Sequence, residues 1–324
     1  MTLLKRLLPS FSASSVIGLM SFLIGVLIAR QLGIIDRGQL AVLLTSQQLF
    51  TVIIGFGIND AAFLYGLNSK DSKSGIFSIY VLISLILGVI SLISLHLYFA
   101  ASVTFEIPNF DFFIISLSIP MTIFLGFLIN FSLLQNNEHS FNRSRLIRGI
   151  VYTLLVASYF FAFGTLNITF IITAFFLAIV FAVSYLLSVH SKMFFEDFVT
   201  VFSISNAANH LKGIARFYGW NTPATMGWAI VAAAPILLLN RYSEAHVVGG
   251  FSVAYNLVQT FIAVLTPTLS VMISQREMSF TKNQLIITLV SFCGIGVLSS
   301  YFLGEIFMSF IYGNEYVSSA KNLV

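Results

Sequence analysis

Charge is the scarcest commodity in this 324-residue chain: Asp, Glu, Lys and Arg together make up 9%. Soluble domains carry about 25%, so a surface that faces water all round is excluded. Cysteine is almost absent. The single Cys293 lies inside an apolar run, which rules out a disulfide within the chain and a cysteine metal site. A Gly-rich phosphate loop, a His-x-x-x-His pair and a Gly-x-Ser-x-Gly elbow are all missing. The five histidines (His96, His139, His190, His210, His246) are scattered near the ends of apolar runs and read as interface residues rather than a metal or catalytic cluster. No catalytic residue, metal or cofactor is expected, and no nucleic-acid partner.

What is present is apolar length: 58% of the residues are hydrophobic. Stretches free of Asp, Glu, Lys, Arg and His run Ser10–Ala29, Gly38–Asn59, Ser74–Leu95, Phe112–Asn137, Gly149–Val189, Phe217–Asn240, Val247–Gln275 and Asn283–Gly304. A helical crossing takes roughly 20 such residues. Gly149–Val189 is too long for one, and Gly164-Thr165-Leu166-Asn167 near its middle reads as a tight turn. The expectation is an all-α polytopic membrane protein with about nine transmembrane helices. The runs are apolar all round, unlike the short alternating strands of a membrane barrel. Lys5 and Arg6 precede the first run, which is too long for a signal peptide and reads as a retained helix.

The placement of the cations gives orientation. With the N-terminus in the cytoplasm, twelve of the sixteen Lys and Arg fall on the cytoplasmic side, Arg143, Arg145, Arg148 and Arg216 among them. Arg30, Arg37, Arg241 and Lys321 fall outside. This asymmetry is the positive-inside rule.

The chain also repeats itself. Arg30, Gly38 and Gln48 correspond to Arg241, Gly249 and Gln259 at a constant offset of 211. In each copy the Arg is expected to end one helix, a short outer loop to follow and the Gly to open the next helix. Six helices separate the copies, so both have the same orientation, a parallel-repeat plan known among transporters. The expected lobes are 1–211, six helices plus a cytoplasmic amphipathic linker within His190–Arg216, and 212–324, three helices of an incomplete second lobe. The repeat implies about 98 further residues, so the chain is expected to be a fragment unable to transport alone.

Several polar residues lie in this apolar setting. Arg30 and Arg241 occupy equivalent helix ends, and an Arg fork suits pyrophosphate or carboxylate; interfacial snorkelling is the alternative. Gln48, Asn256 and Gln259 offer neutral donors and acceptors for sugar hydroxyls, or hydrogen bonds between helices. Asp60, within Gly57–Phe63, is a candidate for a coupling H+ or Na+, or else a solvated border carboxylate. Arg143, Arg145 and Arg148, expected on the cytoplasmic loop before helix five, and Arg216, just before helix seven, either set topology or capture anionic headgroups.

Ile28-Ala29-Arg30-Gln31-Leu32-Gly33 followed by Asp36-Arg37-Gly38-Gln39-Leu40-Ala41 resembles the opening of the polysaccharide (O-antigen, Wzx-type) flippases of the multidrug/oligosaccharidyl-lipid/polysaccharide exporter superfamily. Gly249-Gly250-Phe251-Ser252-Val253-Ala254-Tyr255 resembles that family's eighth helix, and Ile311-Tyr312-Gly313-Asn314-Glu315-Tyr316 its loop after the ninth. The resemblance implies carriage of an undecaprenyl-pyrophosphate-linked oligosaccharide to the outer leaflet of a bacterial inner membrane by rocking of two lobes. It implies a role for Arg30 as the helix-one Arg, and membrane lipids, a polysaccharide polymerase and chain-length proteins as partners. The alternatives are a multidrug exporter of the same superfamily and a membrane glycan polymerase or ligase. A polymerase or ligase would carry a large basic outer loop, whereas Ala101–Asp111 is short and acidic.

Overall fold

A computed structural model describes residues 3–55, 59, 63, 65–66, 73–102, 107–191, 223, 225–256, 259, 309 and 312. Every element among these residues is a helix. In chain order they are α1 (Leu3–Gly55), α2 (Lys73–Ser102), α3 (Asn109–Leu134), α4 (Glu138–Phe163) and α5 (Ile168–Val189). Residues 225–242 and 245–256 are also helical. Among the described residues four stretches are long and apolar enough to cross a membrane: Pro9–Gly55, Asn109–Leu134, Glu138–Phe163 and Ile168–Val189. Of the expected spans, Asn283–Gly304 and most of Val247–Gln275 lie outside the described residues, as does the amphipathic segment after Ser191.

The 53 residues of α1 would extend about 80 Å if straight, well over the ~30 Å of a bilayer core. One residue divides them. Gly33 sits at φ 72°, ψ 172°, a conformation essentially closed to side chains. The expected loop between Arg30 and Arg37 is therefore no loop. Helix runs up to it and resumes at Ile34, with a single glycine as the break. The likeness to a loop arose from the charges alone.

The turn after α4 follows the sequence reading closely. Gly164 caps α4 with left-handed φ 73°, its N–H donating to the Phe160 carbonyl at 2.7 Å. Asn167 then caps α5, its side chain accepting from Phe170 N–H at 2.7 Å. Tyr159 stacks on Phe170 at 3.9 Å across this turn, and Asn167 donates to its hydroxyl. At the other end Asn137 caps α4, accepting from Ser140 N–H. The cluster Arg143–Arg148 consequently lies within α4 and not on the preceding loop, which is shortened to Gln135–Asn137.

The chain divides into two compact units, Val42–Tyr242 and Met1–Ala41 with Ser243–Val324. In the first, α3 packs on α2, α4 and α5. Ile115, Ile119, Ile123, Phe127, Leu128 and Phe131 are almost wholly enclosed. Gly88 of α2 admits Pro120 of α3; a Cβ there would run into the ring. Hydroxyls in this apolar interior turn back on their own helices: Ser118 donates to Ile115 O at 2.6 Å and Thr122 to Ser118 O at 2.7 Å. The far half of α4 packs much less, leaving Leu154, Phe161 and Phe163 58%, 83% and 67% exposed. Such rows of bare Leu and Phe exceed what a soluble monomer shows; lipid is their natural cover.

His190 closes the opposite end of this bundle. It is buried, its backbone N–H caps α5 on Leu186 O, and its ring meets Phe131 edge-on at 5.3 Å. Ser132 gives its one hydroxyl hydrogen to Leu128 O, so its contact with His190 Nε2 at 3.0 Å is best met by an Nε2–H donor. Burial lowers the imidazole pKa below its ordinary 6.5. The folded state then binds fewer protons than the unfolded state between the two values. The His190 contribution is therefore intact above pH ~6.5 and is lost as pH falls through the folded value. The thermal unfolding midpoint in detergent is expected to drop between pH 7 and pH 5, and His190→Gln to flatten that slope. Equal slopes in both proteins would refute it.

Candidate functional site

The unit formed by Met1–Ala41 and Ser243–Val324 carries the most distinctive geometry. The helix at 245–256 starts after a two-residue break, Ser243–Glu244, with Glu244 O accepting from Val247 N–H at 3.0 Å. Glu244 stands 211 residues after Gly33, so the breaks in the two sequence copies coincide as well as the residues. Gly38 and Gly249 each lie five residues into the helix that resumes after its break; neither opens it.

These two glycines mark where the resumed helices cross. A Cβ on Gly38 would run into the carbonyl oxygen of Ala245 and lie 3.1 Å from Gly249 N. A Cβ on Gly249 would run into the carbonyl oxygen of Ile34. Ile34 and Ala245 are themselves 211 apart. The two contacts are therefore one contact made twice, each glycine on the other copy's first helical residue. A backbone carbonyl can approach a helix this closely only where that helix presents a glycine.

Beside the crossing lies a small cleft of about 20 Å³. Its walls include Ser21 and Phe22 of the first α1 segment, Arg37 of the second, Asn256 and Tyr312. Phe22 and Tyr312 meet edge-to-face, centroids 6.5 Å apart, and Ala29, Val253 and Tyr312 form a small buried cluster behind them. Arg37 is only 6% exposed. One enclosed guanidinium, an amide, two hydroxyls and an aromatic wall thus converge here, a set of donors whose chemistry matches an anionic or hydroxylated group.

The sequence candidates fall in different places. Arg30 is exposed in the last turn before Gly33, and Arg241 is exposed near the end of the 225–242 helix. Asn256 does line the cleft. Gln259 is partly buried and donates to the Tyr255 hydroxyl. Gln48 is exposed, whereas its neighbour Gln47 is buried and ties the second segment of α1 to α3, donating to Thr122 at 3.1 Å. Arg143 and Arg148 are exposed, and Arg145 lies 5.3 Å over the Phe141 ring. Asp60 and Arg216 lie outside the described residues. Asn59, next to Asp60, donates to Ile123 O at 3.2 Å and accepts from Asn130 at 3.3 Å. Arg37 was readable only as an outer charge. The usable signal was its position directly before a repeated glycine.

Comparison with known families settles the broad class. A profile described as polysaccharide biosynthesis protein matches residues 3–273. The chain belongs to that family. It is the family of the polysaccharide flippases and their exporter superfamily, which bears out the resemblance carried by the Arg30–Ala41 and Gly249–Tyr255 motifs. As a family member with several long apolar helices, the protein is a multi-pass membrane protein of the polysaccharide-related transporter class. The family is one of transporters and not of catalysts. No curated protein and no solved structure matches the chain.

Proposed function

We propose that the protein is a flippase that carries an undecaprenyl-pyrophosphate-linked oligosaccharide from the cytoplasmic to the periplasmic leaflet by alternating access. The observation that carries this reading is the family match over residues 3–273. In this reading residues 1–211 and 212–324 belong to two parallel-repeat lobes, and the crossing at Gly38 and Gly249 is where their equivalent helices meet. Arg37 holds the pyrophosphate, with Asn256 and Tyr312 against the sugar. Arg30, Arg241, Gln48 and Gln259 are further contacts along the sugar's route. Arg143, Arg145, Arg148 and Arg216 gather the anionic headgroup on the cytoplasmic side.

Deleting the gene is the direct test. Lipid-linked oligosaccharide is expected to accumulate on the cytoplasmic leaflet and surface glycan to fall, with drug sensitivity unchanged. Raised drug sensitivity with normal glycan would favour the multidrug exporter instead.

Orientation has its own check. In a Cys293→Ser background, an impermeant thiol reagent added to intact cells should label Ile35→Cys and His246→Cys. It should reach Arg145→Cys only after permeabilisation. Labelling at residue 145 in intact cells would invert the topology.

A further inference from the structure

A nine-residue pattern occurs twice in the unit Val42–Tyr242. Thr51-Val52-Ile53-Ile54-Gly55-Phe56-Gly57-Ile58-Asn59 and Thr122-Ile123-Phe124-Leu125-Gly126-Phe127-Leu128-Ile129-Asn130 share Thr, Gly, Phe, Ile and Asn at the same places, with three bulky apolar residues between Thr and Gly in each. The offset is 71, distinct from the 211-residue repeat. Thr, Gly and Asn recur every fourth residue, so on a helix they stand one above another on a single face. The two faces are packed together. Gln47, one turn before Thr51, donates to the Thr51 hydroxyl at 3.3 Å and to the Thr122 hydroxyl at 3.1 Å. Asn59 donates to Ile123 O at 3.2 Å, and Asn130 donates to Asn59 O at 3.3 Å. The contacts climb both stretches in the same direction, so the two run parallel.

The copies do not face each other rung for rung. A Cβ on Gly55 would meet Ile123, one on Gly126 would meet the Asn59 amide, and one on Gly66 would meet Leu134. These pairs are 68, 67 and 68 residues apart, three or four fewer than the 71 of the repeat. That shortfall is one helical turn, about 5.4 Å along the axis. Asn59 bears the consequence. Its Nδ2 is engaged, but its Oδ1 is enclosed and meets no hydrogen-bond partner among the described residues. A buried amide oxygen left in that state is unfavourable.

A slide of one turn supplies the missing partner. Moving the Asn59 face one turn toward the C-terminal end of α3 sets Asn59 opposite Asn130, Gly55 opposite Gly126 and Thr51 opposite Thr122. The two amides then exchange hydrogen bonds, as facing asparagines do between parallel helices, where such a pair specifies register. The facing glycines let the backbones come close. Because the motif recurs every four residues, each ridge leaves one groove and enters the next of the same kind, and positions between the two fit neither. Packed helices with two such discrete fits shift by whole turns. We propose that this seam has two registers one turn apart, the one described here and the one in which the two copies of the motif face each other, and that the protein passes between them during transport. The first half stands on the repeat and its packing; the second rests on the flippase reading.

Disulfide trapping in membranes tests the registers without reference to transport. In a Cys293→Ser background, Gly55→Cys is combined with Ile123→Cys, which reports the described register, or with Gly126→Cys, which reports the second. Ile119→Cys is the control, because it lies one turn from Ile123 in the opposite direction and belongs to neither register. Closure under oxidant is read as loss of both thiols to a maleimide reagent. The pairs with residues 123 and 126 should both close, and the pair with residue 119 should stay open. Closure at only one of 123 and 126, or at neither, overturns the two registers. Closure at 119 as readily as at 126 reports general mobility and overturns them too. If Gly126→Cys lowers the protein level, Asn59→Cys with Asn130→Cys takes its place. The second arm is flipping of a lipid-linked oligosaccharide in liposomes. Either disulfide should stop it, and reductant should restore it, which separates trapping from misfolding. Full flipping with a disulfide closed would leave the slide outside the transport cycle and overturn the second half. If the Cys293→Ser parent flips nothing, the flippase reading fails, and the cross-links alone decide the two registers.

Discussion

Adding one methyl group at Gly38 or at Gly249 is expected to damage the protein severely, and to nearly the same extent at either position. Alanine is the better helix former by roughly 1 kcal/mol, so on local grounds both substitutions would stabilise. The crossing reverses the sign. Each new Cβ would sit against a backbone carbonyl, Ala245 O or Ile34 O, which cannot swing aside as a side chain can. The helices must separate, and the packing around Ala29, Val253 and Tyr312 goes with them. Overpacking of this kind costs typically 1–3 kcal/mol. The double substitution supplies the sharper test. Once one methyl has separated the helices, the second finds room already made, so the combined loss should be well short of additive. Gly227→Ala is the control, because nothing lies within 4 Å of its would-be Cβ. Thermal stability in detergent and surface glycan should both be measured. Additive losses, or a harmless Gly249→Ala beside a harmful Gly38→Ala, would mean that the reciprocity does not govern the crossing.

The same two glycines show what the sequence could tell and what it could not. Their spacing of 211 was readable, and so was the Gly164–Asn167 turn, because αL glycines and Asn caps act through their own backbone. The break at Gly33 was readable only as charges flanking a gap. A loop and a one-residue break both satisfy that pattern, and the choice depends on what the resumed helix packs against. Burial escaped for the same reason. Arg30 and Arg37 look alike in sequence, seven residues apart, yet one is exposed and the other 6% exposed in a cleft wall. Arg143–Arg148 looked like a loop because charge is rare here. Asn137 nonetheless starts the helix before them, and Arg145 rests on Phe141 one turn back. Asp111 read as an outer-loop charge, and nothing in its neighbours along the chain announces the hydrogen bond it accepts from Thr169, 58 residues away.

Replacing Arg37 with Ala is expected to reduce surface glycan more than any other single arginine change in the protein. Arg37 is an enclosed cation in a chain that carries few charges, and such residues in membrane proteins are retained for function. Its position in the cleft beside Ser21, Asn256 and Tyr312 gives a pyrophosphate both a charge partner and polar neighbours. Losing one side of a buried, hydrogen-bonded charge pair costs about 2–5 kcal/mol, or roughly 30- to several-thousand-fold in affinity. Arg37→Lys keeps the charge and loses the planar two-pronged donor, so it should retain part of the activity. Arg30→Ala removes an exposed cation and should do less, because an exposed ion pair contributes ~1 kcal/mol or below. Three measurements decide the matter together: protein level by blot, surface glycan, and binding of a water-soluble pyrophosphate-sugar to the purified protein. A purely structural Arg37 would lower protein level in both Arg37 variants and leave affinity per folded molecule untouched. A ligand-binding Arg37 leaves the level intact in Arg37→Lys and weakens affinity in steps from Arg to Lys to Ala. Full binding by Arg37→Ala at normal protein level would remove Arg37 from the cleft's chemistry and return the anion to Arg30.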